Sequence, residues 1–487
     1  MNMTEINAFR ARVGDIPVYV HGEAGYAEHI ATWNTYTSRR PLAVVQPLTV
    51  AQVAIVLKAA KSANITRITV RGGGHSFEAL GLGGTNGALV IDVIRLNEIT
   101  SDPSKDVITA GGGAMLGTVA QYAWDHGKKM LPMGTCPTVG LGGQIQCGGY
   151  GFYTRTFGTL TDRVIDVEVV TADCEIRHAN KDENPDLFFA IRGSGTGSFG
   201  VISKITLRTN DAPVAVASFT IKWKLSRDDI PEALAAAAKT CANAPLSVNP
   251  MIVSWLGVLE ISGTILAETS TERDAVWSSF ISQLPHPDEA TCTPRDLIDT
   301  VTSVGLTQTS APWYPDLRKL KREGAEHERF MKIKAGFMPE LPSKAFLEEL
   351  TKLIVTQPTS GVRIQLLGLN PGFRPSPDTT SIKVRGAPWL MGMSVWLPLK
   401  EYGGKDGVVA EAERRLPWMM KAYELFYPLT NGGYLGDDDY DEALYGRNMM
   451  RSYYGQHLQR LGQIKAKYDP GNVFKHPLSI QPTTQSR

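Results

Sequence analysis

Two segments of the chain each set one nucleophilic side chain in a glycine-dense loop. The first is Arg71-Gly72-Gly73-Gly74-His75-Ser76, and the second runs from Cys136-Pro137-Thr138-Val139-Gly140-Leu141-Gly142-Gly143-Gln144 to Gly148-Gly149-Tyr150-Gly151. Glycine has no side chain to hold a large ligand away, so bare backbone can approach it closely. Consecutive backbone N–H groups after a strand can also form a nest for a diphosphate. An imidazole or thiol set in such a loop can bond its ligand covalently. Each has an ordinary alternative: His75 could hydrogen-bond its own loop, and Cys136 could be a small buried apolar residue. A third glycine loop, 193–200, precedes Val201-Ile202 and contains Gly-x-Gly-x-x-Gly. It follows a hairpin and leads into a strand instead of opening a helix, which excludes a dinucleotide fingerprint of the Rossmann kind.

The elements that must position these loops can be read from periodicity. Thr49-Val50-Ala51-Gln52 reads as a capping box opening a helix with the apolar stripe Val53, Val56, Leu57 and Ala60, and 68–71 is a short strand leading into the His75 loop. Strands are expected at 88–93, 106–110 and 201–207, a helix at 116–126, and a hairpin of 164–171 with 175–178 turning at Asp173-Cys174. Past residue 213 the glycine density falls. Long strands at 214–225, 251–268, 362–369 and 389–397 alternate with helices near 230–242, 271–283, 344–356 and 407–427, which suits an antiparallel sheet with helices on one face.

Composition removes several classes of partner. The 487 residues carry 50 Lys+Arg against 49 Asp+Glu, a net charge of +1, so neither a nucleic-acid backbone nor an anionic membrane is favoured. The five cysteines show no paired or zinc-like spacing. No metal is expected, and the Glu326-His327-Glu328 cluster reads as an exposed helical face. With no signal-like apolar run at the start and no stretch of about 20 apolar residues, the chain as written is expected in the cytoplasm, or outside the cell if its start has been engineered. A monomer acting on a small molecule is expected.

Together, the His75 and Cys136 loops resemble the signature loops of the vanillyl alcohol oxidase / p-cresol methylhydroxylase (PCMH-type) FAD-binding flavoproteins, in the branch of berberine-bridge-like and oligosaccharide oxidases. The C-terminal stretch 453–474 resembles the closing helix and turn by which that family returns to its flavin domain. The resemblance implies an α+β fold: a two-subdomain PCMH-type FAD-binding region plus a substrate domain with an antiparallel sheet covered by helices. The division would be an N-terminal segment 1–36, an FAD-binding domain 37–209, a substrate domain 210–440 and a berberine-bridge-like segment 441–487. It also implies bicovalent FAD, with His75 on the 8α-methyl and Cys136 on C6. The FAD would contact Arg71, Gly72, Gly73, Gly74, Ser76, Thr138, Val139, Gly142, Gly143, Gln144, Gly148, Gly149, Val201 and Ile202. Val139 stands where oxygen-using members carry valine, and Gln144 where the family commonly has histidine. Cys147 replaces a usual glycine and is read as packing.

The resemblance is less regular on the substrate side. Sugar-oxidising members use a tyrosine base assisted by an aspartate on a facing strand, and the matching positions here are Asp437, in Tyr434-Leu435-Gly436-Asp437-Asp438-Asp439, and Leu367. Gln365 is retained. A Leu366-Leu367 pair facing the flavin would suit a less polar substrate, and a carboxylate against that wall could have its pKa raised toward a useful base. Asp437 is the first candidate and Asp439 the second, against the alternative of a solvated turn. Tyr150 and Tyr153 are candidates for the substrate face, with core packing an equal alternative for Tyr153. The expected function is an FAD-dependent oxidase taking hydride from a substrate C–H, an alcohol of secondary-metabolite size, and reoxidised by O2 to give H2O2. The alternatives are a carbohydrate oxidase and a flavin-binding protein without turnover.

Overall fold

Apolar, β-branched runs set the first layer. Ile68–Arg71 lies parallel to Leu89–Asp92 with Ile68 opposite Leu89 and Arg71 opposite Asp92, in a four-stranded sheet with Ala43–Val45 and Val18–Val20. The helix Val50–Ser62 covers it and buries Val53, Val56, Leu57 and Ala60. Thr49 accepts a hydrogen bond from the Gln52 amide at 3.2 Å, and Gln52 accepts one from the Leu48 amide at 2.6 Å, so the cap is reciprocal, one residue wider than a strict box. The far end of the chain closes the same sheet: the Ile68 amide donates to Val473 and the Lys475 amide donates to Ile68. The structure, a computed structural model, describes residues 3–34, 39–301, 314, 316–322, 329–340, 342–358, 360–441, 446 and 448–483. The Glu326-His327-Glu328 cluster lies outside them.

The second layer is a five-stranded antiparallel sheet in the order Ile99–Asp102, Val107–Gly111, Val201–Arg208, Val164–Val170, Ile176–Asn180. Its hairpin turns at Asp173-Cys174, where Cys174 takes a φ of 70°. The third is a seven-stranded antiparallel sheet in the order Glu289–Arg295, Ala215–Lys224, Val258–Ala267, Val248–Trp255, Val362–Gly368, Trp389–Pro398, Arg329–Met338. Helices Ile230–Asn243, Lys344–Ile354 and Lys405–Phe426 pack on one face of this sheet. Its other face turns to the glycine loops, and the α+β layout matches the expected one.

The expected 251–268 strand is two strands folded back at Leu256-Gly257, where both residues have positive φ. Leu256 is a poor residue for that conformation, so the turn is hard to see in the sequence. Two strands of the seven-stranded sheet escaped periodicity, as did the short strands Val18–Val20, Ala43–Val45 and Ile99–Asp102 of the other layers. Glu289–Arg295 is an exposed edge strand with a proline and no apolar run, and Arg329–Met338 carries Lys332 and Lys334 within it.

Candidate active site

The loops converge because backbone meets backbone. A Cβ on Gly73 would lie 2.4 Å from the Gly140 nitrogen and 2.7 Å from the Thr138 carbonyl oxygen, so only glycine lets the His75 loop touch the Cys136 loop. Across that contact, His75 Nε2 is 2.9 Å from the Thr138 hydroxyl, and Cys136 Sγ is 3.4 Å from the same oxygen. Trp33 stacks on the His75 ring with centroids 5.4 Å apart. Imidazole and thiol line one cavity of about 310 Å³.

Arg71 anchors the entry to the His75 loop. Its guanidinium is buried and donates to the His29 and Ala31 carbonyls. Burial pulls its pKa down to about 9, helped by the Arg322 charge and opposed by Asp92. Arg322 pairs with Asp92 at 2.7 Å and donates to the Gly72 carbonyl, fixing the first glycine from behind. Gln144, at the position of the expected histidine, accepts from the Gly134 amide at 3.0 Å and faces the cavity. Gln146, which had not been singled out, donates to the Gly142 carbonyl at 2.7 Å.

The expected FAD contacts lie on the cavity wall except Thr138, Gly148, Gly149 and Val201. Thr138 works through its hydroxyl between His75 and Cys136. Gly148 and Gly149 have φ of 111° and 79° and serve a turn, where a Cβ would strike Tyr150 or Leu160. Val201 points into the core because strand side chains alternate, leaving Ile202 for the cavity. The third glycine loop is tied to the C-terminal helix by the buried Lys465, whose ammonium donates to the carbonyls of Ser198 at 2.5 Å and Phe474 at 2.7 Å and pairs with Asp469 at 2.6 Å.

These residues fit FAD. The cavity end is lined by the bare backbone of Gly72 to Gly74, Gly142 and Gly143, and Arg71 Nε is buried there without a hydrogen-bond partner. Gly72 to Gly74, with Gly142 and Gly143, would hold the cofactor. His75 and Cys136 are the side chains able to bond it.

The seven-stranded sheet supplies the other wall. Gln365 and Leu367 face the cavity, but Leu366 packs among the helices on the opposite face, so the expected leucine pair is divided by the two-residue period. Gly392, directly across from Gln365, leaves room for that amide: a Cβ there would meet Gln365 Nε2 at 2.8 Å. Arg363 also reaches the cavity, a residue that had not been singled out.

The three adjacent aspartates have three tasks. Asp437 lines the cavity, and burial together with the neighbouring Asp438 charge pushes its pKa up to about 7, against the pull of Arg363. Asp438 accepts from Ser76 Oγ at 2.8 Å and from the Phe77 and Glu78 amides at 3.0 Å each, bracing the His75 loop. Burial pushes it up to about 6 even so. Asp439 is not a base beside the flavin: it lies off the cavity, pairing with Lys332 at 2.6 Å and Lys334 at 2.8 Å. Asp438 and Asp439 are buried, and Asp437, at the end of a turn closed by its amide on the Tyr434 carbonyl, is half-buried and faces the cavity.

Tyr150 lines the cavity edge-to-face with Phe337 and Tyr434, and burial pushes its pKa to about 12. Burial also raises the Tyr434 phenol well above its usual range. Neither is poised to accept a proton near neutrality, as Asp437 is. Tyr153 is not on the substrate face; it is buried off the cavity, with its hydroxyl bonded to Thr300. Cys147 lines the cavity but burial raises its thiol pKa, so it stays protonated there.

Comparison with known proteins agrees with this geometry. A family model described as an FAD binding domain matches residues 41–180, and one described as berberine and berberine like matches 429–481. The glucooligosaccharide oxidase of Sarocladium strictum is 28% identical over 98% of this chain and 94% of its own. The FAD-linked oxidoreductase dpmaF of Metarhizium anisopliae is 27% identical over 97% of this chain and 91% of its own. The structure of Physcomitrella patens BBE-like 1 superposes with a TM-score of 0.85 at 24% identity, covering 99% of this chain and all of that one. The stretches that the two family models match are the ones carrying His75, Cys136 and Asp437, so the chain holds an FAD binding domain and a berberine-like C-terminal segment and is an FAD-linked oxidoreductase similar to the oligosaccharide oxidases and berberine-bridge-like proteins.

Proposed function

We propose that the protein is an oxidase whose FAD is bonded through His75 and Cys136 and whose substrate is an alcohol of secondary-metabolite size. Bound there, FAD would supply the two-electron chemistry of an oxidase, a hydride acceptor toward the substrate and a donor toward molecular oxygen with hydrogen peroxide as product. The chain's own residues do the rest. Asp437 takes the proton of the substrate hydroxyl. The Gln365 amide, given its place by Gly392, orients that hydroxyl, while Leu367, Met251 and Leu390 exclude water from around it. Two bonds would fix the cofactor and leave the cavity open to a bulky substrate. The protein acts as a monomer.

One observation carries this reading: His75 and Cys136 both lie on the wall of the cavity that Asp437 also lines, and His75 Nε2 and Cys136 Sγ both reach the Thr138 hydroxyl behind it. A carbohydrate oxidase is the second reading, favoured by Gln365 and by the glucooligosaccharide oxidase among the relatives. Leu367 and Asp437 weigh against it, since they stand where the sugar-oxidising pair would be. The test is anaerobic mixing with a panel of apolar alcohols and oligosaccharides, followed by air and peroxide detection. Flavin bleaching by an apolar alcohol and peroxide on aeration are expected. Flavin that no alcohol reduces would leave a binding protein without turnover.

A further inference from the structure

Resting on the reading of this cavity as a substrate site, we propose that the substrate carries a carboxylate received by Arg363, so that it is an apolar hydroxy acid. Arg363 lies on the cavity face of Val362–Gly368, two residues from Gln365 and opposite Ser394. Its guanidinium donates to Gln365 Oε1, while its Nε is buried with no acceptor. It makes no ion pair among the described residues. A half-buried guanidinium whose one side-chain partner is a neutral amide is incompletely compensated, and an anion with several lone pairs meeting its fork would complete it.

The two carboxylates that act on Arg363 from a distance are poor counter-ions. Glu260 is buried, which raises its pKa and favours the neutral acid, and its Oε2 accepts from the Trp255 indole at 3.3 Å. Asp437, raised to about 7, is only partly ionised at neutrality and makes no side-chain hydrogen bond or ion pair among the described residues. Most of the remaining wall on the sheet side is apolar: Met251, Leu367, Leu390, Met331, Ile333 and Trp396. With Arg71 at the cofactor end, a substrate in the rest of this space finds a proton acceptor in Asp437 and a fixed positive charge in Arg363. A hydroxyl at one point, a carboxylate at another and an apolar body between them match that pattern.

The test uses the intact yellow protein with benzoate and its neutral counterpart benzamide as probes, following the visible flavin spectrum during titration. Benzoate should bind about tenfold or more tightly than benzamide, the span expected for a charge-assisted contact. Arg363→Met should remove that preference while leaving benzamide binding unchanged, and Arg363→Lys should keep part of it. Equal binding of the two probes by the native protein, no benzoate binding, or a preference that survives Arg363→Met would overturn the assignment. Retention of the flavin colour through acid reports cofactor attachment separately, so loss of the anion site and loss of the flavin reading give different results.

Discussion

Asp437 and Asp438 are neighbours in the chain with opposite roles. The Asp438 carboxylate is filled by hydrogen bonds from Ser76, Phe77 and Glu78. The Asp437 carboxylate has no side-chain hydrogen bond among the described residues and faces the cavity. One aspartate therefore braces the His75 loop and leaves the other able to accept a proton.

Asp437→Asn should slow anaerobic flavin reduction by about two to four orders of magnitude, the usual span for a positioned general base. The flavin spectrum should not change, because the substitution touches neither His75 nor Cys136. Stopped-flow absorbance checks both, and reduction at the native rate would remove Asp437 from the chemistry.

The pH dependence follows from the same carboxylate. Only ionised Asp437 accepts a proton, and its pKa is raised to about 7, so reduction should rise with pH, level off above 7 and fall about tenfold for each unit below. The sign for stability is the reverse. A carboxyl with a raised folded-state pKa adds stability at low pH that is lost as pH rises through 7, so Asp437→Asn should gain stability relative to the native protein between pH 4 and 8. A reduction rate flat from pH 5 to 8 would point to a different base.

Much of this was legible in the sequence, for reasons that differ by residue. Close backbone approach writes itself as consecutive glycines, so Gly72 to Gly74 and Gly140 to Gly143 announce the loops. The cap at Thr49 and the stripe from Val53 to Ala60 are local and equally plain. The aspartate run was not: Asp437, Asp438 and Asp439 are chemically identical, and only the turn of the chain sends one to the cavity, one to Ser76 and one to Lys332 and Lys334. Leu366 was assigned to the wrong face because a neighbouring pair cannot share one side of a strand. Arg363, Trp33 and Lys465 gave no signal, since each acts on residues far away in sequence.

Val139 lines the cavity beside Cys136. Val139→Ile adds one methylene there and should slow reoxidation of the reduced flavin by oxygen while leaving anaerobic reduction nearly unchanged. Equal oxygen rates for the two proteins would show that Val139 is no gate.

Gly73→Ala tests the junction of the loops. Its Cβ would fall 2.4 Å from the Gly140 nitrogen, against backbone that cannot swing aside. We expect a loss of about 1–3 kcal/mol, seen as a lower melting temperature, together with a smaller fraction of flavin-loaded protein. Native loading and melting would mean that the loops separate freely.

The most direct measurement is the mass of the intact chain after acid denaturation. The native protein should carry one FAD through denaturation. His75→Ala and Cys136→Ala should each still retain it through the remaining bond, and the double variant should release it completely. Full release of FAD from the native protein would contradict attachment at His75 and Cys136.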